Sequence, residues 1–427
     1  MIKNLLIFML FPMLVQAQGN VGIKMLFDSL KANPQTIADE LIMDKALMGK
    51  KMATSNLYPN ISLFGSFDYA NTPTGMLPIA PNDLLKMVQD QTVPQPFSDQ
   101  ILRVGATFSM PLFVKSIYTM ASKAKMMYQS AASKKRIDLL KNEAMLVGLN
   151  ANLAYIESLD TALGKKLTSL NKTKEIIDLK VKNNRAPRNA SLMIDDGINQ
   201  VHIMRNNLLA KKEEIIASIA SLTGIRLTDH VPMTQIGTYQ NGGLKALDPL
   251  KEKIKADKLT LRAEKEKLWP ILVLRGNYNH SMANAYNNNL GINEDFATVG
   301  LVLKVPLFTK PQYTKISLTK IDLATSENKL AQLNLELSSQ ANMLENNLKI
   351  VDQSIELYSK SIKDKEDILT SAKVSYEAER MTVQDYLKFE DDVVLEKAKL
   401  YKAHAERWQT LLKLAVIYGN NIEEIIK

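Results

Sequence analysis

Residues able to do chemistry are few in this chain, and their spacing rules most of it out. The four histidines, His202, His230, His280 and His404, lie far apart, and none sits in a His-x-x-x-His or Glu-x-x-His arrangement that would put two ligands on one helix face. Cysteine is absent, which excludes disulfides, Cys-ligated metals and a lipid-anchor cysteine. Glycine-rich phosphate loops are also missing. No catalytic residue, metal site or cofactor is therefore expected, and the chain reads as a non-enzyme. Twenty methionines invite thoughts of copper or silver, but Met25, Met43, Met48 and Met52 recur at helical spacings that suit packing. The formal charge of +9 is dispersed in mixed runs such as KKEE at 211–214 and KEKIKADK at 251–258, so these are solvated faces and no nucleic-acid partner is expected.

Two short stretches still draw notice. KNNRAPRNAS (182–191) supplies Asn183 and Asn184, suited to a left-handed helix stop, with Pro187 to start the next helix. SYEAERMTVQDYL (375–387) contains Asp385, which reads as a carboxylate in the first turn of a helix. Arg185 and Arg380 are each either an ion-pair donor to a neighbouring helix or an ordinary surface charge.

The elements that must position these residues begin after an export signal. Residues 1–17 carry Lys3, an apolar run from about Leu5 to Leu14, and a Val15-Gln16-Ala17 end where a signal peptidase would cut. About ten apolar residues are too few to cross roughly 30 Å of hydrocarbon as a helix. No later stretch is apolar enough to do so either, which leaves periplasm, outer membrane or exterior.

Beyond the signal the chain is written twice. GATFSMPLF (105–113) returns as GLVLKVPLF (300–308) at an offset of 195, and NLYPNISLFGSFDY (56–69) returns as KLWPILVLRGNYNH (267–280) at an offset of 211. The difference places 16 extra residues in the first copy, within the Pro-, Asn- and Gly-rich stretch 70–100, which reads as a loop. Downstream the 195 offset persists, with Arg185 matching Arg380, Leu192 matching Leu387 and Gly224 matching Gly419. The expected organisation is a first repeat over 18–224, a linker over 225–246, a second repeat over 247–419 and a tail over 420–427.

No proline lies between Pro111 and Pro187, and neither Gly nor Pro occurs from 312 to 418. Apolar residues spaced three and four apart, as in Leu330, Leu333, Leu337, Ala341, Leu344 and Leu348, form a coiled-coil seam. Long helices are expected over about 114–183 and 312–378, each about 100 Å at 1.5 Å per residue. Return helices follow over about 189–222 and 382–418, and shorter helices are expected near 23–56 and 247–268. The runs before the long helices alternate with period two, predicting strands at about 60–69, 101–110, 271–280 and 297–306. Phe64 is an exception to the alternation. Each run is about the length of a tilted transmembrane strand. A core strand of a soluble sandwich has the same pattern. Four strands cannot close a barrel, because lipid satisfies no strand edge and the smallest usual barrels have eight. If the strands span a membrane, several copies must complete the wall.

This layout resembles the TolC-like outer-membrane efflux and secretion channels over essentially the whole mature chain. The resemblance rests on the paired P-x-[IL]-x-[FL]-x-G-x-[FY] strand starts (59–67, looser at 270–278), the two Pro-Leu-Phe junctions (111–113 and 306–308) and the 375–387 motif. It implies a mainly α fold with β: a trimeric twelve-stranded barrel in the outer membrane, continued by a twelve-helix barrel in the periplasm. It also implies a homotrimer in outer-membrane lipid, a periplasmic adaptor protein, and an inner-membrane pump of RND, ABC or MFS type that supplies the energy. The function implied is the exit duct of a tripartite efflux pump or type I secretion system. A soluble periplasmic coiled-coil adaptor or scaffold is the alternative.

The family's motif at the periplasmic gate is Tyr-x-x-Gly, then Thr or Ser, then Asp-Val-Leu. Here it falls on Tyr376, Glu379, Thr382 and Asp385-Tyr386-Leu387, so the resemblance implies that Tyr376, Arg380, Asp385 and Lys388 form the gate. Glu379 replaces the family's glycine, and Lys388 stands where some members have a second acid, so an Asp–Lys collar is the alternative to a double acidic ring. The turns carrying Asn184, Arg185, Pro187, Glu379 and Thr382 are implied to face the adaptor. Tyr58, Tyr69, Trp269 and Tyr278 suit an aromatic belt at membrane interfaces, or else a core.

Overall fold

The computed structural model describes residues 22–427; the signal-peptide residues 1–17 lie outside the described residues. In chain order the elements are α1 (Ile23–Lys31), α2 (Pro34–Ser55), β1 (Asn60–Gly75), α3 (Pro81–Gln89), β2 (Phe97–Phe113), α4 (Lys115–Lys182), α5 (Arg188–Thr223), α6 (Asp248–Glu266), β3 (Ile271–Asn284), β4 (Gly291–Lys304), α7 (Lys310–Glu377) and α8 (Val383–Tyr418). The long helices α4 and α7 have 68 residues each, and α5 and α8 have 36 each, so the duplication holds residue for residue through the helical part. The helix expected over 23–56 is two helices. Pro34 has no N–H to donate, and Asn33 Oδ1 instead accepts from the Gln35 amide at 2.8 Å, starting a new helix.

The residues cluster into two compact units. One comprises residues up to Ile42, Ala132–Pro249 and Leu330–Lys427, and is built on helix seams. Its principal core gathers Leu26, Phe27 and Leu30 from α1, Leu146, Val147 and Leu153 from α4, Ile216 and Ile219 from α5, and Leu411, Leu412 and Ala415 from α8. The helices α5 and α8 end at the repeat mates Gly224 and Gly419, whose φ values of 72° and 70° are left-handed, the stop that glycine adopts without steric cost. The stretches 225–246 and 420–427, which link and end the repeats, also contribute core. Ile225, Leu227, Val231, Ile422, Ile425 and Ile426 are buried. Thr234 and Lys427 exchange two backbone hydrogen bonds, at 2.8 and 3.0 Å. Asn150, fully buried on α4, donates to the Val231 carbonyl at 2.7 Å and accepts from its amide at 2.8 Å, so both the nitrogen and the oxygen of this buried amide are hydrogen-bonded.

The other unit comprises Met43–Ala131 and Leu250–Lys329. It holds a single antiparallel sheet in the order β1-β2-β3-β4, which leaves β1 and β4 as free edges. The strands run to 14–17 residues, longer than the alternating runs alone suggest. Phe64, the exception to the alternation in β1, pairs with Gly105, and its ring occupies the space that a Cβ there would need. Beside the sheet, polar contacts tie the helix starts together. Thr119 of α4 donates to Glu266 of α6, Gln312 of α7 donates to Glu264 Oε2 at 2.8 Å, and Ser326 donates to Asp257 at 2.9 Å.

Glu143 of α4 is buried in the helical unit, with Oε2 unpartnered, and burial pushes its carboxyl up to about 7. A raised folded-state value means that the folded chain holds the proton more tightly than the unfolded chain. The stability this contributes is complete below pH 4.5 and is lost as pH rises through 7. Thermal melting should therefore show stability falling across that window, and Glu143→Gln should flatten the fall; an unchanged slope in the variant would assign the pH dependence elsewhere.

Candidate tip and membrane face

The two helix reversals of the helical unit are built alike. In each, a left-handed residue stops the incoming helix: Asn184 at φ 60° and its repeat mate Glu379 at φ 58°. The Arg185 amide then reaches back to the Lys180 carbonyl at 2.7 Å, and the Arg380 amide to the Ser375 carbonyl at 2.9 Å, the six-to-one bond of a Schellman stop. Pro187 and Thr382 follow as extended N-caps, at φ −76° and −75°. Thus Glu379, standing where a glycine would be easiest, itself adopts the left-handed conformation. Its carboxylate lies 2.8 Å from Lys180 Nζ, which holds the carboxyl below its ordinary value.

Asp385 occupies the third position of α8. Its amide donates to Thr382 Oγ1 at 3.2 Å, and the Thr382 hydroxyl donates to Asp385 Oδ2 at 2.6 Å, a closed capping pair at the positive end of the helix. Asp385, Lys388 and Arg380 are all exposed, as is Arg185. Tyr376 is buried, and its ring stacks on that of Tyr386 with centroids 5.1 Å apart and planes inclined by 14°. Lys180 Nζ stands 6.0 Å over the Tyr376 ring. Burial raises the Tyr376 hydroxyl and pushes that of Tyr386 up to about 12, so both are neutral. Tyr386 donates to Glu390 Oε1 at 2.9 Å, and Ser169 of α4 donates to the same carboxylate. Lys166 of α4 pairs with Asp391 of α8, and the bidentate Arg205–Asp160 pair, at 2.7 and 2.9 Å, joins α5 to α4. Beneath them Leu163, Leu170 and Ile177 of α4, and Ile194 and Val201 of α5, each seven residues apart within their helix, pack with the two tyrosines.

Tyr376, Glu379, Thr382 and Asp385 are thus in one small region, joined by Tyr386 of the same motif and by Lys180 and Glu390, which spacing had not singled out. Lys180 and Glu379 come from different copies of the repeat, so no local pattern announces the pair. Among the described residues, no group of three His, Cys, Asp or Glu side chains is placed to hold a metal ion.

In the sheet, register sorts the side chains by face. Ile61, Phe108, Gly276 and Val299 form one row, and Leu63, Ala106, Tyr278 and Ala297 another on the same face. The opposite face carries Ser62, Thr107, Asn277 and Thr298 in one row, and Ser66, Arg103, Ser281 and Glu294 in another. The first of these faces is mainly apolar and left bare, Leu63 being 84% exposed and Val299 83%, with Ile61, Phe67, Leu301 and Leu303 also exposed, and it carries a polar pair, His280 and Asp295, 2.9 Å apart. Tyr58 and Trp269 lie two residues before β1 and β3, whereas Tyr69 and Tyr278 lie within the strands; all four are exposed. Tyr278 donates to Asp295 at 2.7 Å, giving an amphipathic ring a polar anchor for its hydroxyl.

Neither a protein-family model nor a curated protein sequence matches the chain. Solved structures do. The outer membrane protein VceC from Vibrio cholerae superposes with a TM-score of 0.78 at 13% identity, over 93% of this chain and 96% of that one. The Campylobacter jejuni CmeC outer membrane channel gives 0.76 at 14% identity, over 93% and 85%. The open state of the Neisseria gonorrhoeae MtrE outer membrane channel gives 0.75 at 13% identity, over 94% and 90%. The chain has the fold of the TolC-like outer-membrane channels, mostly helical with one small antiparallel sheet. At these identities the likeness is one of fold.

The left-handed Glu379 generates a sharp comparison. Glu379→Gly and Glu379→Ala both delete the carboxylate, so they differ only in backbone freedom. The left-handed conformation costs an L-residue roughly 1–2 kcal/mol. The glycine variant should therefore protect the amides of 375–382 from hydrogen exchange better than the alanine variant by about that amount. Equal protection would mean that the turn relaxes at no cost.

Proposed function

We propose that this protein is an outer-membrane channel, the exit duct of a tripartite efflux pump or type I secretion system. The observation that carries the reading is the open four-stranded sheet with a bare apolar face and two free edges. Apolar side chains at 80% exposure or more are unfavourable in water at about 25 cal/mol per Å², and unpaired edge amides are costlier still in lipid. Both are resolved if the apolar face meets hydrocarbon and β1 of one copy pairs with β4 of the next. Three copies supply twelve strands, within the range of natural barrels. The same threefold assembly gathers the long helices into a periplasmic tube.

In this reading Tyr376, Arg380, Asp385 and Lys388 lie at the periplasmic gate. Asp385, exposed and held by Thr382, repeats three times around the axis and favours cations there. The turns at Asn184, Arg185 and Pro187, and at Glu379 and Thr382, receive the helical hairpins of a periplasmic adaptor that couples the duct to an inner-membrane pump. Tyr58, Tyr69, Trp269 and Tyr278 anchor the sheet at the lipid interfaces. The chain does no chemistry itself. A soluble adaptor or scaffold is disfavoured, because nothing in such a molecule would cover Leu63 and Val299.

Extraction from cells should require detergent, and chemical crosslinking should trap trimers; a soluble monomer in buffer would defeat the reading. In planar bilayers, Asp385→Ala should raise resting conductance or lower cation preference. If both stay as in the unmodified protein, Asp385 serves only as a helix cap.

A further inference from the structure

The first-copy hairpin does not end in an open loop. After Tyr69, which pairs with Gln100, the register breaks, and the strands pair again at Thr74–Ser98 and Gly75–Phe97. Four residues of β1 thus oppose a single residue of β2, a large bulge that redirects the chain. The segment 76–96 that follows starts on one side of the sheet, and register identifies which. Met76 is buried against Ile101, Ala283 and Ile292. These three share a row with Asp68, whose parity is that of Ser62, Thr107 and Thr298, the polar face. Ser281 of that same face is 1% exposed and donates to the Met76 carbonyl at 3.5 Å.

The segment is also latched. Asn287, in the turn between β3 and β4, donates from Nδ2 to the carbonyls of Gln91 at 3.1 Å and Val93 at 2.9 Å, and its Oδ1 accepts from the Gln95 amide at 3.0 Å. Asn288 donates to the Thr92 carbonyl at 3.1 Å. Within the segment, α3 and the Asp90–Thr92 turn keep the chain ordered, the Thr92 amide donating to Asp90 at 3.0 Å. A loop that merely tolerates extra length has no need of a partner for each of these backbone groups. Here the side chains of one asparagine pair hold it to a single position.

We propose that segment 76–96 is an inward-folded cover at the outer end of the duct, held shut by Asn287 and opened when that latch lets go. The inference rests on the channel reading, since it takes the polar face as the lumen. The covered end is that opposite the Pro-Leu-Phe junctions, and three copies of the segment converge there. Its consequence is a size limit on what enters or leaves at the cell exterior, separate from any gate at the helix turns.

The chain contains no cysteine, so single cysteines can report access. Thr107→Cys puts a thiol on the polar face, and Leu63→Cys puts one on the apolar face. Intact cells carrying each variant as trimers are treated from outside with a small charged maleimide and with a large polyethylene-glycol maleimide. The small reagent should label Thr107→Cys, and the large one should not. Adding Asn287→Ala, or replacing 79–94 by a short Gly-Ser link, should raise labelling of Thr107→Cys by the large reagent roughly tenfold or more, as expected for losing several hydrogen bonds. The shortened loop keeps the test decisive if Asn287→Ala fails to assemble. Equal access of the large reagent with the segment intact would overturn the cover. So would its exclusion after the segment is shortened, because something else would then set the limit. Small-reagent labelling of Leu63→Cys in place of Thr107→Cys would instead overturn the assignment of faces, and the channel reading with it.

Discussion

A strand edge must find a partner, and in hydrocarbon it cannot find one in solvent. The chain folds a sheet of four strands with β1 and β4 unpaired at its edges and with Ile61, Leu63, Phe67, Val299, Leu301 and Leu303 exposed on one face. Everything else in the proposed assembly follows from that shortfall. In that proposed assembly neighbouring copies complete the wall, and the helices that each copy contributes gather around a common axis.

The helical unit meets a related problem by different means. Its helices are too long to be capped by a globular core, so they are held along their length by seven-residue seams and by ion pairs between helices, among them Lys166–Asp391, Lys174–Asp195 and Lys365–Glu396. Where such pairs are exposed, solvent screens them and they stabilise little. Their geometric effect is larger, since each fixes the axial register of one helix against another. At the reversals, the seam ends in the stacked pair Tyr376 and Tyr386. Burial keeps both hydroxyls neutral.

Duplication explains why the two reversals share a backbone while differing in chemistry. Asn184 and Glu379 take the same left-handed conformation, and Pro187 and Thr382 the same extended one. Only the second copy places a hydroxyl and a carboxylate three residues apart, so only there is the helix start closed by a side-chain pair. The backbone plan is shared, and the side chains distinguish one turn from the other. The loop at the far end of the sheet diverges further. The 16 extra residues of the first copy became an ordered segment fastened by Asn287 from the second, so the two copies now depend on one another.

Local periodicity was enough to read the long helices and the strand cores from the sequence, but not the break at Pro34 or α3 within the stretch 70–100. The alternation in 61–69 and 101–110 marked strands, the long absence of proline marked the helices, and Asn184 and Pro187 marked a reversal. Such signals depend on a residue and its near neighbours along the chain. What the sequence left open was decided by residues far apart in it. Phe64 needed Gly105 beneath its ring, Glu379 needed Lys180 from the other copy, and the stretches at 225–246 and 420–427 became core only when they met each other. The side of the sheet taken by segment 76–96 depends on the pairing of Ile101 with Ala283 and of Ala283 with Ile292. Spacing along one chain carries the period of an element, but which faces meet is settled only when the elements pack, because the energy of burial and pairing belongs to the contact and to neither segment alone.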